Sequence, residues 1–575
     1  MLPSTNSKSN FRFERIAIFL ILLLAFLLRF WGISFGLPST YHADEPIIVN
    51  HALAYGTFDF HPHFFRVPPF SSYLLFIVYG GYFLFGKIFG FFPSVKYFEY
   101  FFYENPTSFY LLGRLFLGVI PGTLSVYLLY QFVRNHFSKN VAFLSALLFA
   151  VCFLPVRDSH YIYCDIPLMV ALIIAWKILW KVMDQPQNKV LHFWFGALAG
   201  ICCAIKYNGG AIILPYFFVS FYLAQPCSKI FISWIFMFAG MFLFYTLLNP
   251  FSFLDFHFFI KEIIAESYAH KEGVPWAHHY VYSLKEGLGP PLWICSSLAM
   301  VVSFFKKNLK LNALGFFTAS YYLILIYGGQ SYERYVLPIL PSALIITADA
   351  FEDLRKKSRK LKSLWLLVLT LLILPSLFQS IRFDQVISEK DTRTLAKEWI
   401  EKNISYGTSI AFNHHFFAPR LNHSPEQLKE KENKIRQNEG DSATRLRKIV
   451  FLQKSIQDKK LPFYELNFLT ENSSGEDKFT FSGPFLPYAI KSIEDKKISY
   501  VVVSYLNDQD PHEAFKKELA QKAVLEATFS PYHDPSIKMP VDSQILTGGP
   551  FSWKDLWARS RNGYTIEIYR LKSGT

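Results

Sequence analysis

The chain has 575 residues, of which 52% are hydrophobic and 18% aromatic, and its 58 Lys and Arg against 44 Asp and Glu give a net charge of +14. Its apolar residues are gathered into long runs, which excludes an ordinary water-soluble protein and indicates an integral membrane protein. The positive charge does not indicate nucleic-acid binding, because it is concentrated in loops between the runs and no RNA- or DNA-reading motif is present. It fits cytoplasmic loops, and part of it suits membrane lipid phosphates.

The first apolar run, 16–31, follows Lys8, Arg12 and Arg15 and lacks a small-residue cleavage site, so we predict a retained helix and a cytoplasmic N-terminus. Eleven membrane-spanning segments are predicted, at 16–36, 109–133, 141–157, 166–183, 191–206, 210–225, 229–248, 290–305, 312–328, 335–350 and 363–381. With this count the basic loops fall on the cytoplasmic side, as the positive-inside rule requires.

One further apolar stretch, 70–92, is long enough to span the membrane but is not counted. If it crossed, the loop carrying Arg134 and Lys139 would move outside, against the positive-inside rule. Its composition, rich in Tyr, Phe and Gly, is typical of a helix that lies in the membrane interface. We therefore predict an in-plane helix within an external loop at 37–108.

After Ser380 the long apolar runs stop, and charged and turn residues take over. The sequence thus predicts a transmembrane domain over 1–381 and an external soluble domain over 382–575. Within this tail, residue patterns predict helices at 392–402 and 425–447 and strands at 408–412, 448–452, 498–505 and 564–571. Helices that alternate with short strands indicate a small α/β domain. The predicted fold class is a polytopic α-helical membrane protein with a C-terminal α/β domain.

Two adjacent carboxylates, Asp44 and Glu45, stand where the chain leaves the first span. In a solvated loop they would serve the helix that follows, Asp44 as its N-cap and Glu45 in its first turn. Alternatively they belong to a site, because later segments return ionisable groups to the same side of the membrane. A charged substrate at the membrane surface requires such groups.

The connection after the third span contains four ionisable residues, Arg157, Asp158, His160 and Asp165. A short turn between two membrane helices does not need them. One interpretation is local, with Arg157 and Asp158 paired and Asp165 capping the next helix. The other is that the cluster faces a substrate on the same side as Asp44.

Three cations complete the polar set on this side. Arg66 precedes the in-plane helix, Lys206 interrupts an apolar stretch, and Arg334 precedes the tenth span. Guanidinium and ammonium groups at the depth of the lipid headgroups can hold a phosphate. The structural alternatives are interface anchoring by Arg66, snorkelling by Lys206 and a local ion pair between Glu333 and Arg334.

Histidines and cysteines form no clear metal or disulfide pattern. Pro62 separates His61 from His63 with no third ligand at helical spacing, and adjacent His278 and His279 do not have metal-ligand spacing by themselves. The six cysteines lie in the membrane part, so no disulfide framework is implied.

Taken in order, these motifs resemble the membrane glycosyltransferases of the C superfold. They are an acidic pair in the first external loop, an Arg before an in-plane helix, the Arg-Asp-Ser-His loop with Asp165-Ile-Pro, the Lys206-Tyr-Asn-Gly-Gly break and Arg334-Tyr-Val-Leu-Pro. The pattern is most similar to the dolichyl-phosphate-mannose protein mannosyltransferase family and its bacterial relatives that use polyprenyl-phosphate sugars. The resemblance covers most of residues 10–385.

The resemblance implies transfer of a hexose or pentose from a polyprenyl-phosphate donor to a protein or glycolipid acceptor. The setting it implies is the outer face of a bacterial inner membrane, with the tail in the periplasm. By resemblance Asp44 is the catalytic base, with Glu45 beside it and Asp165 assisting. The candidates for binding the donor phosphate are Arg66, Lys206 and Arg334, and the supporting positions are His42, Arg157, Asp158 and His160.

Two points stay open at this stage. A single base implies inversion at the anomeric carbon, whereas a divalent cation between Asp44 and Asp165 is the alternative offered by the oligosaccharyltransferase branch; closer relatives act without a metal. The alternative function is a membrane transporter or lipid flippase, which predicts repeated halves and charges in both leaflets. The sequence has no internal repeat. A non-catalytic scaffold is the other alternative, and there Asp44 would be dispensable.

Overall fold

The structure is a computed structural model, and it describes residues 5–223, 227–269, 275–329, 331–358, 360–414, 417–439, 444–470, 485–505, 513–534, 536 and 551–572. Up to residue 388 the described chain is helical. Its helices are α1 Thr5–Phe30, α2 Glu45–Ala54, α3 Phe70–Ile88, α4 Val95–Glu104, α5 Thr107–Arg114, α6 Ile120–Arg134, α7 Lys139–Val151, α8 Phe153–Asp158, α9 Asp165–Asp184, α10 Lys189–Ile205, α11 Ile213–Tyr222, α12 Cys227–Leu248, α13 Phe251–Leu254, α14 Phe256–Ala269, α15 Lys285–Leu288, α16 Pro290–Phe305, α17 Leu309–Gly328, α18 Leu340–Lys357 and α19 Lys362–Ser388.

Five short segments of tighter or wider helix join these elements. Three are 3₁₀ turns and two are π-helical, and π-helical turns inside α-helices often occur at functional sites. The 3₁₀ segments are Tyr55–Thr57, Tyr207–Ile212 and Glu333–Ile339, and the π segments are Leu115–Val119 and His279–Leu284.

Among the described residues, seven helices are long and apolar enough to cross a membrane, or eight if the pair His279–Leu288 and Pro290–Phe305, bent by 119°, forms one broken span. Two further apolar helices, α7 and α10, are shorter. The chain is therefore a multi-pass helical membrane protein. Each of the eleven predicted segments overlaps a helix, but the count of eleven spans stays a prediction.

Helix α3 occupies most of the stretch predicted to lie in the membrane plane. It has 19 residues and a mean hydropathy of 1.2, so its length and composition also fit a membrane crossing. Its in-plane placement therefore stays a prediction.

The chain divides into two compact units. The first comprises Met1–Ile33, Asp44–Tyr82 and Phe109–Asp384, and the second comprises Ser34–Ala43, Phe83–Ser108 and Gln385–Thr575. The second unit thus combines the tail with two stretches that precede and follow α2 and most of α3. The chain therefore passes from one unit to the other several times. The predicted boundary between 381 and 382 corresponds only to the last of these passages, between Asp384 and Gln385.

The tail within the second unit has a six-stranded sheet in the order β3-β2-β1-β4-β6-β5. The first four strands are parallel, whereas β6 pairs antiparallel with both β4 and β5. The strands are β1 Ser409–Phe412, β2 Glu465–Thr470, β3 Phe485–Pro487, β4 Tyr500–Tyr505, β5 Ala523–Phe529 and β6 Thr565–Leu571, and the helices are α20 Thr392–Asn403, α21 Pro425–Glu439, α22 Thr444–Lys459, α23 Ile490–Asp495, α24 Glu513–Lys522 and α25 Trp553–Ala558.

Apolar side chains cover both faces of this sheet, since Ile410 and Phe412 belong to one buried cluster and Ala411 to another. Such alternation is what a strand between two helical layers produces. The tail therefore has the predicted α/β architecture, while its external, soluble placement stays a prediction.

The prediction of a strand at 448–452 is wrong, because these residues lie in the middle of α22. Leu446 and Ile456 of this helix are buried, and Val450 is 42% exposed. Phe451 of this helix packs against Tyr100 and Tyr103 of α4, with ring centroids 5.1 and 5.7 Å apart. The β-branched pair Ile449-Val450 is thus accommodated in a helix by its packing.

Candidate active site

Asp44 occupies the N-cap position of α2, but its side chain makes no capping hydrogen bond. Its Oδ2 instead accepts a hydrogen bond from Nη1 of Arg334 at 2.7 Å. The guanidinium of Arg334 also lies over the rings of Tyr163 and Tyr332, 4.4 and 4.8 Å from their centroids. The purely structural role as a helix cap is therefore not the one that this carboxylate performs.

Asp165 and Lys206 form a second ion pair. The Nζ of Lys206 donates to Oδ1 of Asp165 at 2.6 Å, and the ammonium lies 4.3 Å from the ring centroid of Tyr335 and 5.9 Å from that of Tyr163. The side chain of Lys206 is only 11% exposed. Lys206 therefore points into the protein and does not snorkel to the headgroups.

Tyr163 connects the two ion pairs, because its ring lies beside both cations. Around it, two buried polar atoms have no hydrogen-bond partner among the described residues, Oδ2 of Asp165 and Nε of Arg334. A buried polar atom without a partner is costly, and a ligand that supplies the partner recovers that cost. Oδ2 of Asp165 can thus accept a hydrogen bond from a hydroxyl group, and Nε of Arg334 can donate one to an anion.

A third cluster adjoins these pairs. The Nε of Arg157 donates to Oδ2 of Asp158 at 3.2 Å, and its Nη2 lies 3.6 Å from Oε2 of Glu333. Burial raises the pKa of the Asp158 carboxyl, and the neighbouring Arg157 opposes that shift. The local pairing predicted for Arg157 and Asp158 is present, but it is extended to Glu333, the residue before Arg334.

Glu45 is held differently from its neighbour. Its two oxygens accept hydrogen bonds from Nε and Nη2 of Arg114 at 2.8 and 2.7 Å, and Oε1 also accepts from the backbone N–H of Ile162 at 3.1 Å. Arg114 further donates to the carbonyl oxygen of Ile33 at 2.6 Å. Both side chains are fully buried. Sequence reasoning missed Arg114, and the available signal was a charged residue inside a predicted span.

The loop that follows α8 is supported by His160. Its ring nitrogens lie 3.0 Å from the carbonyl oxygen of Val156 and 2.9 Å from that of Trp31, and Nε2 is 3.4 Å from Oδ1 of Asp384 in α19. The contacts with Trp31 and Asp384 tie this loop to distant parts of the same unit. The boundary predicted from the sequence places Asp384 in the tail, whereas the structure buries it here.

Gly118, in the π segment between α5 and α6, lets the same loop approach the helix backbone. A Cβ at this position would lie 2.1 Å from the carbonyl oxygen of Ser159. Only a residue without a side chain permits this contact, so the widened helical turn is part of how the loop is seated.

Two predicted residues lie outside the network around Tyr163. Arg66 faces α14, where its Nε is 3.4 Å from Oε2 of Glu262. His42 is buried and belongs to the second unit. The structure therefore brings together Asp44, Asp165, Lys206, Arg334, Arg157 and Asp158.

The charges already paired with these carboxylates disfavour a divalent cation. Asp44 and Asp165 are each bonded to a cationic side chain of the protein. Among the residues that the structure describes, no three His, Cys, Asp or Glu side chains come together as a metal site would require. The mechanism below therefore uses no metal.

Comparison with known proteins gives one family match. Residues 108–253 match the family model described as dolichyl-phosphate-mannose-protein mannosyltransferase. This segment contains Arg114, Asp165 and Lys206, whereas Asp44 and Arg334 lie outside it. An uncharacterised protein of Aquifex aeolicus is 26% identical over 278 residues, which is 46% of this chain and 53% of that protein. The chain thus spans about half the length of the curated relative it matches.

Solved structures provide more distant similarities. The oligosaccharyltransferase AglB of Archaeoglobus fulgidus, in complex with an inhibitory peptide and a dolichol-phosphate, is 12% identical with a TM-score of 0.49, over 92% of this chain and 75% of that one. ArnT of Cupriavidus metallidurans, bound to undecaprenyl phosphate, is 11% identical with a TM-score of 0.44, over 96% and 97%. The family model thus confirms, over residues 108–253, the resemblance to the dolichyl-phosphate-mannose protein mannosyltransferases that the motifs predicted.

Proposed function

We propose that the chain is a C-superfold membrane glycosyltransferase that moves a sugar from a polyprenyl-phosphate donor to an acceptor hydroxyl or amine. The observation that carries the proposal is the meeting of two carboxylate–cation pairs, Asp44 with Arg334 and Asp165 with Lys206, around one tyrosine ring. The four residues come from four separate segments of a membrane protein. Burying such charges is expensive and is typical of functional sites.

Asp44 is the proposed general base. Its side chain is 17% exposed, compared with 3% for Asp165, 7% for Asp158 and 2% for Glu333, so it is the most accessible carboxylate of the network. Accessibility matters because the base must reach the proton of an incoming acceptor. A lipid-phosphate sugar is already activated, so removing this proton and stabilising the leaving phosphate are the two tasks that remain.

Arg334 and Lys206 are the proposed phosphate ligands. The Nε of Arg334 has no partner among the described residues, so it can donate to a phosphate oxygen while Nη1 still holds Asp44. In a site shielded from water, positive charge stabilises the departing phosphate more than it would in solvent. Direct displacement by the activated acceptor then inverts the anomeric centre.

Asp165 is proposed to assist through its unpartnered Oδ2, which can accept a hydrogen bond from a sugar or acceptor hydroxyl. Arg157, Asp158 and His160 support the loop that carries it. Glu45 is proposed to act by holding the start of α2, since Arg114 occupies both of its oxygens. Arg66 would add a third phosphate contact by exchanging its Glu262 partner.

The family description names a dolichyl-phosphate sugar and a protein acceptor, which supports a lipid-phosphate donor and a protein acceptor here. A glycolipid acceptor is the second candidate. The proposed setting is a bacterial inner membrane with the N-terminus in the cytoplasm and the tail outside.

The test compares cells that produce the protein, its Asp44→Asn variant and an Asp255→Asn control. Asp255 suits the control because it is an aspartate paired with His61, outside the network. Mass spectrometry of membrane glycolipids and glycoproteins should detect a sugar-modified species with the wild type and the control only. Equal modification with Asp44→Asn would overturn Asp44 as base, and a retained anomeric configuration would overturn direct displacement.

A further inference from the structure

We propose that Lys431 of α21 is a reactive amine that captures carbon dioxide as a carbamate, with His423 as the base that takes up the proton. Both residues belong to the second unit, as do their partners described below. The modification is independent of the proposed sugar transfer, and its ligand is a small, uncharged electrophile.

His423 is held beside the sheet by the backbone around it. It forms a parallel bridge with Tyr464, the residue before β2. The carbonyl oxygen of Asn422 accepts from the backbone N–H of Tyr464 at 3.0 Å, and the Asn422 side chain donates to the carbonyl oxygen of Pro462 at 2.9 Å. The imidazole ring therefore extends from a fixed point of the chain.

Gln427 decides which nitrogen of His423 carries the proton. Its amide is oriented by Leu466 of β2, because Nε2 donates to the Leu466 carbonyl oxygen at 2.7 Å and Oε1 accepts from the Leu466 N–H at 2.9 Å. The same Oε1 lies 3.2 Å from Nδ1 of His423. An amide oxygen can only accept, so Nδ1 is the protonated nitrogen and Nε2 of the neutral ring has a lone pair.

The Nε2 lone pair of His423 accepts a hydrogen bond from Lys431. The Nζ of Lys431 lies 2.8 Å from this nitrogen, and the lysine side chain is half-buried. A nucleophile bonded to a base, with the base oriented by a third group, is the general arrangement that activates nucleophiles in proteins. Here the three members are Lys431, His423 and Gln427, and the backbone of β2 fixes the third.

The charges around Lys431 favour loss of its proton. Burial and the ammonium group of Lys434 lower the pKa of Lys431 to about 8, and Glu430 opposes them only in part. Glu430 is itself bound to Lys434 at 2.7 Å, and Lys496 acts on the same carboxylate. Roughly a tenth of the Lys431 amine is therefore uncharged at about pH 7, compared with less than roughly a thousandth for an ordinary lysine.

The reaction balances with carbon dioxide as the sole co-reactant. The lone pair of the uncharged amine forms a bond to the carbon of CO2, and one C–O π pair moves onto oxygen. The nitrogen then loses a proton to Nε2 of His423, which leaves a carbamate on Lys431 and an imidazolium on His423. The imidazolium keeps its bond to Gln427 through Nδ1 and donates through Nε2 to a carbamate oxygen.

The same charges select this electrophile over two others. A carbamate is an anion, so it gains from the imidazolium of His423 and from the ammonium of Lys434. An acyl donor would leave an uncharged amide, which gains less from either cation. An aldehyde would leave an imine, which has no oxygen to accept the proton of Nε2.

The test traps the carbamate in the full-length protein in detergent. The protein is exposed briefly to isotopically labelled bicarbonate over a range of pH at a constant concentration of dissolved carbon dioxide. Triethyloxonium then converts any carbamate to a stable ester, and mass spectrometry of the digest locates it. Lys434 is the internal control, because it lies on the same helix and is 60% exposed but is paired with Glu430. The variants are Lys431→Arg and His423→Phe, with Lys434→Arg as the matched control.

We expect the initial rate of labelling at Lys431 to exceed that at Lys434 at least about tenfold near pH 7. The rate should rise with pH with a midpoint near 8, as the amine loses its charge. Lys431→Arg should abolish the label at that position, and His423→Phe should lower its rate at least about tenfold. Lys434→Arg keeps the neighbouring charge and should leave labelling of Lys431 unchanged.

Equal labelling of Lys431 and Lys434 would overturn the proposal, because the reaction would then follow exposure alone. An unchanged rate in His423→Phe would also overturn it. If that variant fails to accumulate, the wild type still decides the question, since a midpoint at the ordinary lysine value of about 10.4 would contradict activation of Lys431.

Discussion

Glu45 and Arg114 lie 69 residues apart in the sequence, yet they share two short hydrogen bonds and are completely buried. The same arginine binds the carbonyl oxygen of Ile33 after α1, and the same glutamate binds the N–H of Ile162 in the loop before α9. One ion pair thus joins four chain segments directly beside Asp44.

Replacing one partner should leave an uncompensated buried charge. We expect Glu45→Gln and Arg114→Met each to cost roughly 3–5 kcal/mol of stability, because breaking a buried pair costs more than replacing both partners. Thermal unfolding in detergent measures the effect. As a control, Lys390→Met removes an exposed pair with Glu398 and should cost at most about 1 kcal/mol. Unchanged stability of Glu45→Gln with lost turnover would make Glu45 a catalytic residue.

Replacing Arg334 even by lysine should weaken binding of the lipid-phosphate donor. Lysine keeps the charge but cannot hold Asp44 and a phosphate in one plane, so we expect KM for the donor to rise about tenfold in Arg334→Lys. Steady-state transfer at varied donor concentration checks this. Arg355→Lys is a suitable control, since Arg355 forms a comparable two-point pair with Glu352 near the end of α18. An unchanged KM would remove Arg334 from the phosphate site.

Gly118 is expected to tolerate no added methyl group. In Gly118→Ala the new Cβ would overlap the Ser159 carbonyl oxygen, so the loop carrying Asp158 and His160 should shift and turnover should fall at least about tenfold. Gly80→Ala is the matched control, because a Cβ there meets nothing within 4 Å. Gly80→Ala should leave the stability of α3 unchanged or raise it by up to about 1 kcal/mol. Equal activity of the two variants would show that the loop does not depend on this contact.

Chelation should leave transfer unchanged. Asp44 and Asp165 are already paired with Arg334 and Lys206, and the positive charge of these side chains opposes a second cation at the same carboxylates. The measurement is the initial rate of transfer with and without a chelator, followed by added Mg²⁺ or Mn²⁺. A loss that divalent ions restore would show that these ion pairs open to admit a metal.

The members of the network that the sequence predicts share one property. Asp44, Asp165, Lys206 and Arg334 each border or interrupt an apolar run, where a charge is costly and therefore informative. The basic loops predict which side of the membrane these four residues face, so it can be predicted that they lie on the same side. Which residue pairs with which cannot be predicted, because the pairs depend on how helices distant in the sequence pack together.

Arg114 and Asp384 show where prediction fails. Arg114 lies inside an apolar stretch and its partner is far away in sequence, so no local pattern connects the two. Asp384 follows the last apolar run, so the sequence predicts it in the tail, but α19 continues beyond it and buries it beside His160. At 448–452 local β-propensity pointed to a strand, and packing against α4 stabilised a helix instead.

The second unit is discontinuous, since residues 34–43 and 83–108 complete what begins again at 385. A gene fragment starting at 385 would encode neither Tyr41, whose ring lies against the guanidinium of Arg393 in α20, nor the α4 rings that pack on Phe451. If a single crossover replaced the tail with that of a homologue, Tyr41 and the α4 rings would lose the tail residues that they pack against. Successful chimaeras, in the laboratory or in evolution, therefore require three coordinated exchanges.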